Sequence, residues 1–346
     1  MRRRTCLFLA ALASATATIG FAAPGAAAAT AADLPPHVFA PYFETYDTTG
    51  GGLAQLSRES GAKYLSLAFL QTDQPGSCTA YWDGDTSSPI SPSSFGADIA
   101  AIQASGGNVI PSFGGYSADT TGTELADSCS SVDAIAKVYE QLITTYNVPR
   151  IDLDVEADSL TNTAGINRRN EAIAETEAWA AAHRRHIQFS YTLPTFPTGL
   201  TPAGLAVLQN AVADGARISV VNIMTFDYYL GTPQDMLADT QTAAEGLYGQ
   251  LQTLYPGDSP RQLWQMIGVT EMPGIDDYGA GETFTEADAP ALLRWAIGKG
   301  IDMISFWALQ RDNGGCPGTK GAGTCSGLAQ PTWYFSHTFE PFSYLP

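Results

Sequence analysis

Along the 346-residue chain, eight short runs of apolar, β-branched and aromatic residues alternate with longer stretches of helical periodicity. The strand-like runs are His37 to Phe43, Lys63 to Leu70, Asn108 to Phe113, Arg150 to Glu156, His186 to Leu193, Ile218 to Phe226, Gln262 to Val269 and Ile301 to Leu309. Between them, helices are expected after Gly52 to Ser60, over Ser94 to Ser105, Val132 to Tyr146, Ala164 to His183, Pro202 to Asp214 and Met236 to Tyr255, and from near Glu286 to before Gly300. Mostly continuous apolar strands alternating with helices argue a parallel sheet covered on both faces. Eight such units most often close on themselves, so the expected class is α/β, a single (β/α)8 TIM barrel. An open doubly wound sheet is the alternative, but no Gly-rich dinucleotide turn follows the first strand. In a barrel, functional residues belong at the carboxyl ends of the strands and in the loops that follow them.

Residues 1–32 read as a leader outside that fold. Arg2, Arg3 and Arg4 form a basic start, Cys6 to Ala13 an apolar core, and A-x-A sites such as Ala29-Thr30-Ala31 follow. This order is that of a secretory signal cleaved near Ala31 or Ala32, and its apolar run is too short for a transmembrane helix. The domain is then 33–346, and the expected location is extracellular. Removing the leader takes away three arginines and no acid, moving the net charge from −18 to −21. So acidic a chain repels nucleic acid and anionic lipid but tolerates a neutral or cationic polymer. No nucleic-acid or membrane partner is expected, and the chain is read as a monomer. Four cysteines remain, Cys78, Cys129, Cys316 and Cys325, and an even number in a secreted chain reads as disulfides. The loops bearing Cys78 and Cys129 follow neighbouring strands on one face and can bridge, while Cys316 and Cys325 both follow the eighth strand and can close on each other. The histidines His37, His183, His186 and His337 form no metal-ligand cluster. His183 and His186, near the end of a helical stretch, read as capping residues.

The fourth strand-like run alternates Ile151, Leu153 and Val155 with Asp152, Asp154 and Glu156. Alternate residues of a strand share a face, so the acids form a column with neighbours about 6.5 to 7 Å apart. Unpaired buried charge is costly, and catalysis or metal binding are the usual reasons to keep it. Crowded carboxylates in a partly dry site cannot all ionise, so at least one pKa should rise. Glu156, the outermost, could then donate a proton to a leaving group, with Asp154 stabilising positive charge that develops beside it. That division of labour suits cleavage of a glycosidic bond. A divalent-metal site is a second reading of D-x-D-x-E, although the column is stretched for three ligands on one ion. Structural acids, salt-bridged inside the barrel, are the third.

Four segments together resemble glycoside hydrolase family 18. Ser112-Phe113-Gly114-Gly115 looks like its SxGG motif, and Asp152-Leu153-Asp154-Val155-Glu156 like the end of its DxxDxDxE motif. Met224-Thr225-Phe226-Asp227-Tyr228 resembles the M-x-[YM]-D signature of the sixth strand, and Ser305-Phe306-Trp307 the tryptophan of the eighth. The similarity spans the chain after the leader and is nearest to chitinases of an archaeal type, with Ile267 to Thr270 as a shared I-G-V-T strand. The resemblance implies substrate-assisted hydrolysis with retention, an exception to the two-carboxylate scheme. Glu156 would protonate the glycosidic oxygen, and the 2-acetamido group would attack the anomeric carbon. Asp154 would hydrogen-bond the acetamido N–H, and Asp152 would tune it from below. Asp227 and Tyr228 would position the acetamido group and the catalytic carboxyls, and Trp307 would floor the sugar. Tyr42, Gly114, Gly115, Met224 and Gln265 are further implied substrate contacts, and no cofactor or metal is needed.

Three departures from the pattern stand out. Pro149 and Arg150 stand where Asp-Gly is expected, Val155 replaces a tryptophan, and Phe226 stands where many relatives carry an acetamido-contacting tyrosine, for which Tyr228 could compensate. About thirty residues separate the seventh and eighth strands, too few for the α+β domain that deepens the cleft in some relatives. A shallow groove and endo-type cutting of chitin or N-acetylglucosamine oligomers are therefore expected. Tyr81, Trp82, Tyr116, Tyr229 and Trp264 could line the groove or belong to the core. The chitobiose core of N-glycans is an alternative substrate, and a lectin-like chitin binder without turnover an alternative function. Retention of Glu156 argues against the latter.

Overall fold

The computed structural model describes residues 33–345; the leader expected over 1–32 and the last residue lie outside the described residues. The strands fall on the expected runs: Val38–Phe39 with Tyr42–Glu44, then Tyr64–Thr72, Asn108–Gly114, Arg150–Asp154, Gln188–Phe196, Val220–Met224, Ile267–Glu271 and Met303–Phe306. From the second to the eighth they pair in parallel and in chain order. Closure rests on the first strand, which is split at Ala40-Pro41. Val38 and Phe39 pair with Met303 and Ile304 of the eighth strand, whereas Tyr42 and Phe43 pair with Ser66 and Leu67 of the second. Pro41 has no N–H to give, so the chain changes partner where no donor is wasted. The Ala40 N–H still donates to the Ile304 carbonyl at 3.0 Å, and the Pro41 carbonyl accepts from the Ser66 N–H at 3.0 Å. One short strand thus joins both edges of the sheet and makes it a (β/α)8 barrel.

Helices Leu53–Ser60, Gly96–Ala104, Val132–Tyr146, Thr163–Ala182, Pro202–Asp214, Met236–Leu254 and Asp288–Lys299 cover the barrel. Several start where the sequence offers a cap. Ser131, Asn162, Thr201 and Asp235 each accept a backbone N–H from the first turn, and Pro202 sits where its missing N–H costs nothing. His183 closes the long helix by bonding the Trp179 carbonyl at 2.8 Å. His186 does not cap it; it lies beyond the helix, 3.3 Å from Asp33. Among the described residues no helix is long and apolar enough to cross a membrane.

The fourth strand shows how the barrel is filled. Ile151, Leu153 and Val155 are buried under the helices, each contributing about 1.5–3 kcal/mol by that burial. Arg150, Asp152 and Asp154 are buried on the other face, toward the barrel axis. Arg150 holds the lower end. Its guanidinium bonds both oxygens of Asp302, at 2.8 and 3.2 Å, and its Nε bonds Gln188 at 3.0 Å. The residue standing where a glycine was expected is therefore half of an ion pair that ties the fourth strand to the start of the eighth.

The expectation for the seventh strand needs correction. Residues Pro260–Trp264 form a short helix, because Ser259, Pro260 and Gln262 make a complete capping box with proline in the first turn. The strand begins only at Ile267. Beyond it, Gly274–Ile275 pairs with Thr283–Phe284 in a small hairpin, and no further domain intervenes before the eighth strand. Both disulfides are present, Cys78–Cys129 and Cys316–Cys325, with sequence separations of 51 and 9. Loop entropy assigns them about 4 and about 2.7 kcal/mol.

Candidate active site

The acidic column runs up the barrel axis and changes character with height. Asp152, lowest of the three, is satisfied by four hydroxyls: Tyr42 at 3.0 Å, Ser112 at 2.7 Å, Ser190 at 2.6 Å and Thr192 at 3.0 and 3.1 Å. Burial pushes its pKa up, and these hydrogen bonds oppose the rise. Asp154 is also buried, but its Oδ1 has no hydrogen-bond partner. Burial, then the charges of Glu156, Asp152 and Asp119, hold its pKa well above the usual carboxylate range. Glu156 sits at the rim, just past the end of the strand. Burial pushes it up to about 7, opposed by the nearby Tyr116 N–H. At neutral pH the upper pair therefore retains a proton, as crowding of the column requires.

Above the column opens a cleft of about 930 Å³. Asp154, Glu156, Asp227, Tyr42, Gly114, Met224 and Trp307 all line it. Gly114 is a glycine by necessity: its φ is +99°, and a Cβ would meet the Asp154 carbonyl at 2.0 Å. Trp307 stacks on Phe69 with centroids 5.5 Å apart and an interplanar angle of 15°, and Tyr42 packs against both rings. Tyr116 and Tyr229, 66% and 60% exposed, stand at the rim.

An acid rim, a buried carboxylate with an unused acceptor, and an aromatic floor lie on one barrel mouth. No protein-family model matches the chain. The solved catalytic domain of the hyperthermophilic chitinase from Pyrococcus furiosus is 31% identical, with a TM-score of 0.78 over 91% of this chain and 97% of that one. The chain belongs to the glycoside hydrolase family 18 chitinases. It is also 31% identical over 320 residues to the probable bifunctional chitinase/lysozyme of Escherichia coli, and 31% identical over 287 residues to endochitinase 11 of Metarhizium anisopliae. These matches take in 89% and 80% of this chain but only 35% and 53% of the relatives' lengths.

Against the family pattern, several expected site residues stand elsewhere. Tyr228 is not on the cleft. Asp227 and Tyr229 both have left-handed backbone, φ 53°, so the chain turns Tyr228 inward while Tyr229 points out. Tyr228 is 5% exposed, with Glu271, Asp239 and Glu282 as its charged neighbours. It cannot replace the tyrosine missing at Phe226, which does line the cleft. Gln265 ends the short helix before the seventh strand, at the end of the barrel opposite the cleft, because that strand starts later than expected. Gly115 lies behind Phe69, where a Cβ would strike the ring at 2.5 Å, rather than on the cleft wall. Trp82 donates to the Tyr146 hydroxyl in the outer core, Trp264 stacks on Tyr248 under Lys299, and Tyr81 does not line the cleft although its strand partner Gln71 does.

Asp227 belongs to a second acidic group. Its N–H donates to Asp276 at 2.9 Å, its Oδ1 accepts from the Asp277 N–H at 2.9 Å, and Glu282 accepts from the Tyr228 N–H at 2.7 Å. Burial and the charges of Asp276 and Asp277 push Asp227 up to about 8. Carboxylate oxygens of Asp227, Asp276 and Glu282 lie within 4.8 Å of one another. Backbone N–H groups already serve these carboxylates, so the group acts as a clasp between the sixth-strand loop and the hairpin. Phe69, Asp277 and Asp119 escaped the sequence reading. Phe69 lies in an apolar strand, Asp277 in a polar loop, and Asp119 in a stretch whose composition reads as loop.

Proposed function

We propose that this chain is a secreted, endo-acting chitinase that hydrolyses β-1,4-N-acetylglucosamine linkages with retention. The observation that carries the reading is the unpartnered Oδ1 of Asp154, buried beside a Glu156 that holds its proton near neutral pH. A buried acceptor without a donor is costly, and the acetamido N–H of the substrate supplies one. In that pose the Glu156 O–H donates to the glycosidic oxygen while the acetamido carbonyl oxygen attacks the anomeric carbon. The C–O bond to the leaving sugar breaks, and the resulting oxazolinium cation lies against Asp154. Glu156, now ionised, takes a proton from water as the water oxygen attacks the same carbon and the oxazolinium C–O bond at that carbon breaks, which re-forms the acetamido group, restores the acid and keeps the configuration. Trp307 and Phe69 floor the reacting sugar. Only a short hairpin follows the seventh strand, with no large insertion to wall the cleft, which favours internal cuts.

The test is digestion of chitin oligomers and of a high-mannose glycoprotein by wild type and Glu156→Gln. Wild type should cut the oligomers and not the glycoprotein, with loss of at least about 10³-fold in the variant. Binding of chitin without any product would overturn the hydrolase reading. Release of dimers alone at the earliest times would overturn the endo mode, and retention of residues 1–32 on protein in the medium would overturn secretion through that leader.

A further inference from the structure

One short helix holds Glu156 through its backbone. The Glu156 carboxylate lies near the Tyr116 N–H at the start of helix Tyr116–Thr121, and its backbone N–H donates to Oδ2 of Asp119 in the same helix. The helix is anchored in turn: the Asp119 N–H donates to the Gly115 carbonyl at 3.0 Å, and the Gly115 N–H to the Asp154 carbonyl at 3.0 Å. This restraint falls where the sheet gives out. The Val155 N–H still donates to the Thr192 carbonyl at 3.0 Å, but the fourth strand ends at Asp154. Glu156 itself is extended, and Ala157 turns left-handed at φ 40°. Without Asp119, the N–H of the residue bearing the acid would have no protein partner, and the backbone there would be free to swing.

Asp119 is poorly explained by packing alone. It is 1% exposed, its Oδ1 has no partner, and an apolar side chain of similar size would fill the space at lower cost. The charged groups facing it are Glu124, Arg169 and Glu156, with Asp154 nearby. Arg169 turns its Nε and Nη2 to Glu124, at 3.3 and 2.6 Å, and makes no hydrogen bond to Asp119. Burial, then the charge of Glu124, pushes Asp119 up to about 9, so near neutral pH it accepts the Glu156 N–H without adding a charge beside the acid.

We propose that Asp119 is a positioning residue of the hydrolytic centre, fixing through the Glu156 N–H the backbone from which the general acid reaches the glycosidic oxygen. The proposal rests on the reading of Glu156 as that acid. Its test compares kcat and KM on chitin oligomers for wild type, Asp119→Ala and Asp119→Asn at about pH 6. The alanine variant should lose about 10- to 100-fold in kcat with KM changed less than about twofold, because a misplaced group costs rate rather than binding. The asparagine variant should stay within about threefold of wild type, since its amide oxygen still accepts and it is likewise neutral. An alanine variant with wild-type kcat, or an asparagine variant as slow as alanine, would overturn the proposal. Hydrogen exchange at the Glu156 amide needs no substrate and can be read on Asp119→Asn alone if alanine fails to fold. Protection should persist in wild type and asparagine, and an unprotected wild-type amide would refute the hold. An inactive wild type with a protected amide would instead refute the assignment of Glu156 as the acid.

Discussion

Replacing Glu156 with Gln should stabilise the protein at alkaline pH and leave it nearly unchanged near pH 4.5. The carboxyl moves from its ordinary 4.5 to about 7 in the fold, chiefly through burial. A raised pKa means that the folded state holds the proton more tightly, so the associated stability is complete below pH 4.5 and is lost as pH rises through about 7. A shift of that size corresponds to about 3.4 kcal/mol. Because Glu156 and Asp154 share their protons, about 2–3 kcal/mol is the share expected for this one group. Glutamine is nearly isosteric with the neutral acid, so the variant removes the pH-dependent cost without opening a cavity. With an unfolding entropy of about 2.1 cal/mol/K per residue over a domain of about 310 residues, the gain is about 3–5 °C in Tm at pH 9. Thermal melts of both proteins without substrate, between pH 4.5 and pH 9, read it directly. A constant Tm difference across that range, or a more stable wild type at pH 9, would refute the argument that burial of this carboxyl is what raises its pKa.

Asp152→Ala should cost at least about 3 kcal/mol, read as a lower urea midpoint, because it leaves the Tyr42, Ser112, Ser190 and Thr192 hydroxyls without their shared acceptor. Arg150→Met should cost about 3–5 kcal/mol by stranding Asp302, and adding Asp302→Leu should recover most of it in the same denaturation assay. Oligomers of β-1,4-glucose, which lack the acetamido group, should be cut at least about 10⁴-fold more slowly in kcat/KM than chitin oligomers of equal length, since they leave the Asp154 acceptor unpaired and offer no internal nucleophile.

Much of the fold was legible because periodicity and caps agree along the chain. The helices Val132–Tyr146 and Pro202–Asp214 fall on their expected bounds, one beginning after a Ser cap and the other with Pro in its first turn. Where local chemistry opposed the apolar pattern, the pattern misled. Leu263 and Trp264 made the run from Gln262 look like a strand, but the capping box at Ser259 starts a helix there, and Gln265 was carried to the wrong end of the barrel with it. Tyr228 was misplaced for a different reason. Alternation along an ideal strand says nothing about a left-handed residue, and the turns at Asp227 and Tyr229 exchange which tyrosine faces the cleft. Asp119 was invisible because its role is to bond a backbone N–H some thirty-seven residues away, a pairing that exists only once the third and fourth strands lie side by side.

The column on the fourth strand joins these observations. Its three carboxylates are equally spaced, yet their surroundings differ in a graded way. Asp152 meets four hydroxyls, Asp154 keeps an acceptor with no protein donor, and Glu156 stands near the Tyr116 N–H at the open rim. The lowest acid is thus satisfied by the fold, the highest by the loop that Asp119 steadies, and only the middle one waits for a partner from outside. An unsatisfied buried acceptor destabilises the empty protein, and a ligand that brings an N–H to that point recovers the cost on binding. In the mechanism proposed above, the same ligand carries its own nucleophile beside that N–H, so the defect that the resting protein tolerates would align the acetamido group for attack.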